Sequence, residues 1–110
     1  MNLYRKLYLG VFLALFISGL AFAAPDIAAG KEKAGMCFAC HGAAGNSKNP
    51  NFPILAGQKP AYLVNQLRAF RKGTRENSMI QNMAANLSDA EINNLAAFFC
   101  FCKKYQRRRR

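Results

Sequence analysis

The chain has one histidine, His41, and five acidic residues in 110, set against 16 Lys and Arg. One histidine leaves any metal site few possible ligands, and no second imidazole to act as a distal acid or base. Strand-forming alternation is scarce, so a βαβ surround for a thioredoxin-like redox pair is missing. The length leaves little room for a second core. The shortage of acid gives a formal net charge of +11, which taken alone suggests an anionic partner such as nucleic acid or a lipid surface. Yet 52% of residues are hydrophobic, which excludes a disordered polybasic chain.

Position resolves the charge. Arg5 and Lys6 precede an apolar run from Leu7 to Leu20, and Ala21-Phe22-Ala23 supplies the small-x-small pattern of a signal-peptidase site. Residues 1–24 are therefore expected to be an export signal. The competing reading is an uncleaved anchor, since Leu7 to Ala24 is 18 residues, at the lower edge of a bilayer span. At the other end, residues 103–110 carry six positive charges and read as a basic, disordered, solvated tail able to touch anionic lipid. The body, residues 25–102, holds 8 basic residues against all 5 acids, only +3, an ordinary surface that needs no nucleic acid.

Within that body three helical stretches are expected. Asp26 is placed to cap the first, Ile27 to Met36. Ala39 to Lys59 is rich in Gly, Asn, Pro and Ser and reads as a long irregular loop of functional use. Pro60 opens the second helix, with Tyr62, Leu63, Leu67 and Phe70 as its stripe, and Gly73 stops it. Met79 to Met83 reads as a loop. Ser88 and Glu91 form a capping box for the third helix, whose Ile92, Leu95, Ala96 and Phe99 share a face. Three short helices bury little apolar area, so something else must fill the middle.

Cys37-Phe38-Ala39-Cys40-His41 is C-x-x-C-H. Thiols three residues apart on one turn can add to the two vinyl groups of a haem, and the next residue is carried under the iron as axial ligand. The rivals are a Cys37–Cys40 disulfide, which leaves His41 idle, and a zinc site of Cys37, Cys40, Cys100 and Cys102. One covalent haem c is the reading that uses all three residues.

Ala29-Gly30-Lys31, Cys37 to Gly42, Asn51-Phe52-Pro53 with Leu55 to Gln58, Tyr62 through Leu67, and Met83-Ala84-Ala85 leading to Leu87-Ser88-Asp89 follow in order. In these motifs, over about Asp26 to Phe99, the chain resembles the bacterial class I cytochromes c, in particular the short-domain group related to two-haem tandem-domain electron carriers. The resemblance implies a small all-α fold with its first and last helices crossing and a long loop wrapped around one haem. It implies that Pro53 offers its carbonyl to His41. It also implies a Met sixth ligand eight residues before Ser88, where this chain has Ile80. Met79, one step away, is the first candidate, Met83 the second, and Met36 a packing residue.

The function this implies is single-electron transfer, not catalysis, in the periplasm, between respiratory complexes or to a terminal oxidase. Lys48, Lys59 and Arg75 are candidate rim charges for such partners. The alternative is a haem protein with an open sixth position that binds gas ligands. Cys100 and Cys102 lack a following His and make no second haem site; pairing with one another, pairing between molecules and remaining free all stay open.

Overall fold

A computed structural model describes the backbone of residues 2–15 and 23–107, and the side chains of 2–8 and 23–102. Five α-helices lie in the order α1 (Asn2–Leu15), α2 (Ile27–His41), α3 (Pro60–Lys72), α4 (Ser78–Ala84) and α5 (Asp89–Arg107), with one 3-10 turn at Ala43–Gly45 and no strand among the described residues. Among the described residues the α1 helix makes no contact with another element, and it covers only the start of the expected leader. The cleavage pattern at 21–23 falls largely outside the described residues.

The expected helix starts have concrete partners. The Asp26 carboxylate accepts from the Ala29 amide at 3.0 Å, while its own amide donates to Asn94 Oδ1 at 2.8 Å, tying the cap of α2 to α5. Pro60 sits in the first turn of α3, and Gly73 ends it in the left-handed region at φ 76, where a side chain would be strained. The capping box forms: Ser88 Oγ accepts from the Glu91 amide at 3.1 Å, and Glu91 Oε2 accepts from the Ser88 amide at 2.9 Å.

Two boundaries and one element differ from expectation. Helix α2 does not stop at Met36 but carries the Cys37–His41 motif on its last turns. Phe38 explains this: its ring centroid lies 6.1 Å from Phe98 and 6.3 Å from Phe99, so α5 holds the turn that weak helix formers would leave frayed. The stretch Met79 to Met83 is not a loop but lies in the short helix α4, capped by Asn77, whose Oδ1 accepts from the Ile80 amide at 3.2 Å. Helix α5 continues to Arg107, into the segment expected to be a disordered tail; Lys, Gln and Arg are good helix formers, and positive charge suits a helix C-terminus.

Helices α2 and α5 cross at the centre of the domain, and the core lies between them and α3: Ala34, Leu63, Ile92, Leu95, Ala96, Phe98 and Phe99. Gly30 makes the crossing possible. A Cβ there would stand 2.2 Å from the Asn94 carbonyl oxygen, which is helix backbone and cannot turn aside. Gly30→Ala should therefore cost about 3 kcal/mol. Gly35→Ala, on an open face of the same helix with nothing within 4 Å, should gain about 0.5 kcal/mol. Thermal denaturation of the two haem-loaded variants, followed by circular dichroism, checks the pair; equal midpoints would refute the close-approach argument.

The α4–α5 corner is clamped from α3. Arg71 donates to the Leu87 carbonyl at 2.8 Å and to Asp89 Oδ1 at 2.7 Å, and Arg68 approaches the same carboxylate at 3.5 Å. The hydrogen bond from Arg71, together with the charges of Arg68 and Arg71, holds the Asp89 carboxyl below its ordinary range. The clamp fixes where α4, and hence both of its methionines, can lie.

Candidate cofactor site

The helices leave one large apolar cavity of about 290 Å³ in the middle of the domain. Its wall takes residues from every element of the body except the 3-10 turn. Cys37, Cys40 and His41 enter from the last turns of α2, Phe52 and Pro53 from the long loop, Leu63 and Leu67 from α3, and Leu95 and Phe99 from α5. The missing core anticipated from the sequence corresponds to this cavity, lined by the C-x-x-C-H residues.

His41 is buried, and its Nδ1 lies 2.8 Å from the Pro53 carbonyl oxygen. A carbonyl can only accept, so Nδ1 carries the proton and Nε2 keeps its lone pair. The hydrogen bond fixes the tautomer and the ring plane, as outer partners of metal-bound histidines do. The Phe52 ring stands edge-on to the imidazole at 6.1 Å. Just after Pro53 the loop is fastened by amide–carbonyl bonds from Leu55 to Gly45 at 2.8 Å and from Gly57 to Phe99 at 2.7 Å, which hold the segment carrying its carbonyl.

Cys37 and Cys40 are free thiols, not a disulfide, and both are partly buried. Burial, and then the electrostatic influence of the neighbouring Cys40, push the Cys37 thiol above its ordinary pKa. Cys100 and Cys102 are free as well. Neither lines the cavity, and among the described residues no three metal-binding side chains gather, so the four-thiolate zinc arrangement does not form. Cys102 is packed into the core; burial pushes its thiol up, against an opposing pull from Lys31.

The donor set fits haem. Two thiols and an imidazole with a free Nε2 share one wall of an apolar chamber, and Met79, Ile80 and Met83 line the same chamber from α4. Met79 and Met83 stand four residues apart and so share a helix face. Met79 remains 52% exposed, a thioether with little packing commitment, whereas Met83 is half-buried. Met36, expected to pack, both joins the core and touches the cavity. The three candidate rim charges, Lys48, Lys59 and Arg75, are all exposed, and Arg75 alone of them also lines the cavity. Sequence reading missed Gln66 and Asn77 as wall residues; the helical spacing of Gln66 with Leu63 and Phe70 was the available signal.

An all-helical domain with C-x-x-C-H closing a helix against an apolar chamber defines a c-type haem protein. Comparison with known proteins gives the same class. The cytochrome c family model matches residues 27–99, and the chain belongs to that family, with covalent haem c attached at Cys37 and Cys40. The chain is 47% identical to cytochrome c4 of Pseudomonas aeruginosa over 95 residues, covering 86% of this chain and 47% of that protein. It is 40% identical to cytochrome c-554(548) of Halomonas halodenitrificans over 79 residues, covering 69% of this chain and 95% of the relative. The solved structure of Acidithiobacillus ferrooxidans cytochrome c4 superposes with a TM-score of 0.64 at 33% identity, covering 76% of this chain and 52% of that one. The chain spans about half the length of the cytochrome c4 relatives it matches.

Proposed function

We propose that this domain is a single-haem electron carrier in which His41 and Met79 hold the iron from its two sides. Residues 1–24 would direct export, and the domain would pass single electrons between periplasmic or membrane-bound respiratory partners. The carrying observation is the His41–Pro53 hydrogen bond, which leaves Nε2 as the only free nitrogen in a chamber that two methionines also line. Bound haem supplies an iron that takes up and gives back one electron. The chain does the rest. His41 is oriented before any ligation. A neutral, soft thioether from α4 favours the reduced ion and closes the position oxygen would need. The apolar wall keeps water out, so little rearranges on transfer. The match to cytochrome c-554(548) over 95% of its length supports one such domain as a sufficient unit. No described helix is long and apolar enough to cross a membrane.

The second reading, an open sixth position for gas ligands, draws on Ile80, which lines the chamber at the position where the family resemblance implies a methionine, and on the exposure of Met79. One measurement separates them. The purified protein, reduced with dithionite, should keep its spectrum under carbon monoxide, and pyridine should reveal haem that survives denaturation. Rapid formation of a carbonyl complex would favour the open site. A colourless protein would reject both.

A further inference from the structure

Helix α4 brings both methionines to the chamber, yet it has only seven residues and cannot stand on its own ladder of hydrogen bonds. The bonds at its start are local. Asn77 Oδ1 accepts from the Ile80 amide, and the Asn77 amide donates to Gln81 Oε1 at 3.3 Å. At its far end the Leu87 amide donates to the Ala84 carbonyl at 3.1 Å and closes the last turn. The carbonyl of that same Leu87 accepts from Arg71 Nη1 of α3 at 2.8 Å. Among the described residues no other hydrogen bond joins segment 77–87 to another helix.

The Leu87 carbonyl has no donor in α5, because the Glu91 amide, four residues on, is taken by Ser88 Oγ in the capping box. Leu87 is 6% exposed and lines the chamber, so water would replace Arg71 there poorly. Arg71 is half-buried and steadied by Asp89, whose Oδ1 accepts from Nη2 at 2.7 Å. The two arms are unequal. Asp89 is 63% exposed, where an ion pair contributes little, whereas the arm to Leu87 is screened from water.

We infer that Arg71 is a positioning residue for the sixth iron ligand: by holding the Leu87 carbonyl it sets how often α4 lets its methionine leave the iron, and so how readily that position opens to small ligands. The inference rests on the His–Met reading above. A ligand such as carbon monoxide enters only the open form, so its apparent binding rate scales with the open fraction. Losing a hydrogen bond from a charged donor to a buried carbonyl raises that fraction at least about tenfold.

The test is stopped-flow mixing of the dithionite-reduced, haem-loaded protein with carbon monoxide, read beside the sulfur-to-iron charge-transfer band of the oxidised form. Arg71→Gln should bind carbon monoxide about ten to a hundred times faster than wild type and lose part of the band. Arg71→Lys reaches the carbonyl with a point charge in place of a fork, and should give about a threefold increase. Asp89→Asn leaves the Leu87 arm in place and should change the rate by less than about twofold. Gly30→Ala controls for general loosening: it strains the α2–α5 crossing and lowers the melting temperature, but should leave the rate at its wild-type value. Should Arg71→Gln fail to accumulate with haem, the contrast between Arg71→Lys and Asp89→Asn carries the test. Arg71 variants that bind carbon monoxide as slowly as wild type, or a Gly30→Ala rate raised as much as theirs, would overturn the positioning role and leave the His–Met reading intact. A wild type that lacks the band and binds carbon monoxide at once would overturn that reading, and the inference with it.

Discussion

Cys37→Ala combined with Cys40→Ala should leave a chain that neither retains haem through acid extraction nor gives a sharp thermal unfolding transition. Both effects have one cause. The core between α2, α3 and α5 surrounds a void of about 290 Å³, and an empty cavity of that size costs at most about 7 kcal/mol at the price per unit volume found for emptied cores. A small domain has a total stability of about 5–15 kcal/mol. The bound group is therefore a large share of what holds the fold, as metals are in small metal-dependent domains. Single replacements should be milder: one thioether and the His41 bond still tether the group, so haem should stay but be extracted more readily. Pyridine spectra before and after acid extraction, with far-ultraviolet circular dichroism on heating, read both quantities. A double variant that melts as sharply as wild type would show that the helices close without their centre, and the cavity argument would fail.

How much of this was visible beforehand divides along physical lines. Interactions that are short in sequence were legible: Asp26 over Ala29, Pro60 and Gly73 bracketing α3, and Ser88 with Glu91 opening α5 each depend on residues a few positions apart. So was C-x-x-C-H, because its chemistry fixes its spacing. What stayed hidden required a distant partner. The last turns of α2 contain Gly35, Cys37 and Phe38, poor helix formers whose helicity is supplied by Phe98 and Phe99 some sixty positions away. Helix α4 is too short to stand by propensity, and it persists because Ala84 is buried in the core and Arg71 grips the corner at Leu87. Arg75 is exposed, as its polar sequence neighbours suggest, but only the fold lays it over Phe70 and beside the chamber.

Met79→Ala should abolish the sulfur-to-iron charge-transfer band of the oxidised protein, convert the iron toward high spin, let the reduced protein bind carbon monoxide, and lower the reduction potential. The fall should be on the order of 100 mV, a modest part of the range of about 0.8 V that axial ligands command. The direction follows from the donor: a neutral, polarizable thioether stabilises Fe(II) relative to Fe(III), and water in its place does so less. Met83→Ala serves as the partner experiment. Both methionines lie on one face of α4 and line the chamber, but Met83 is half-buried while Met79 stands 52% exposed with its side chain still to be committed. Ligation would commit it, without moving a helix whose ends are fixed by Asn77 and by the Arg71 clamp. Met83→Ala should accordingly keep the band and lose stability only, by about 2–3 kcal/mol for a large-to-small change at a partly buried position. If the band instead survives Met79→Ala and vanishes with Met83→Ala, the ligand is the deeper methionine. If it is absent from all three proteins, the sixth position is open, and Ile80 standing at the expected methionine position accounts for it.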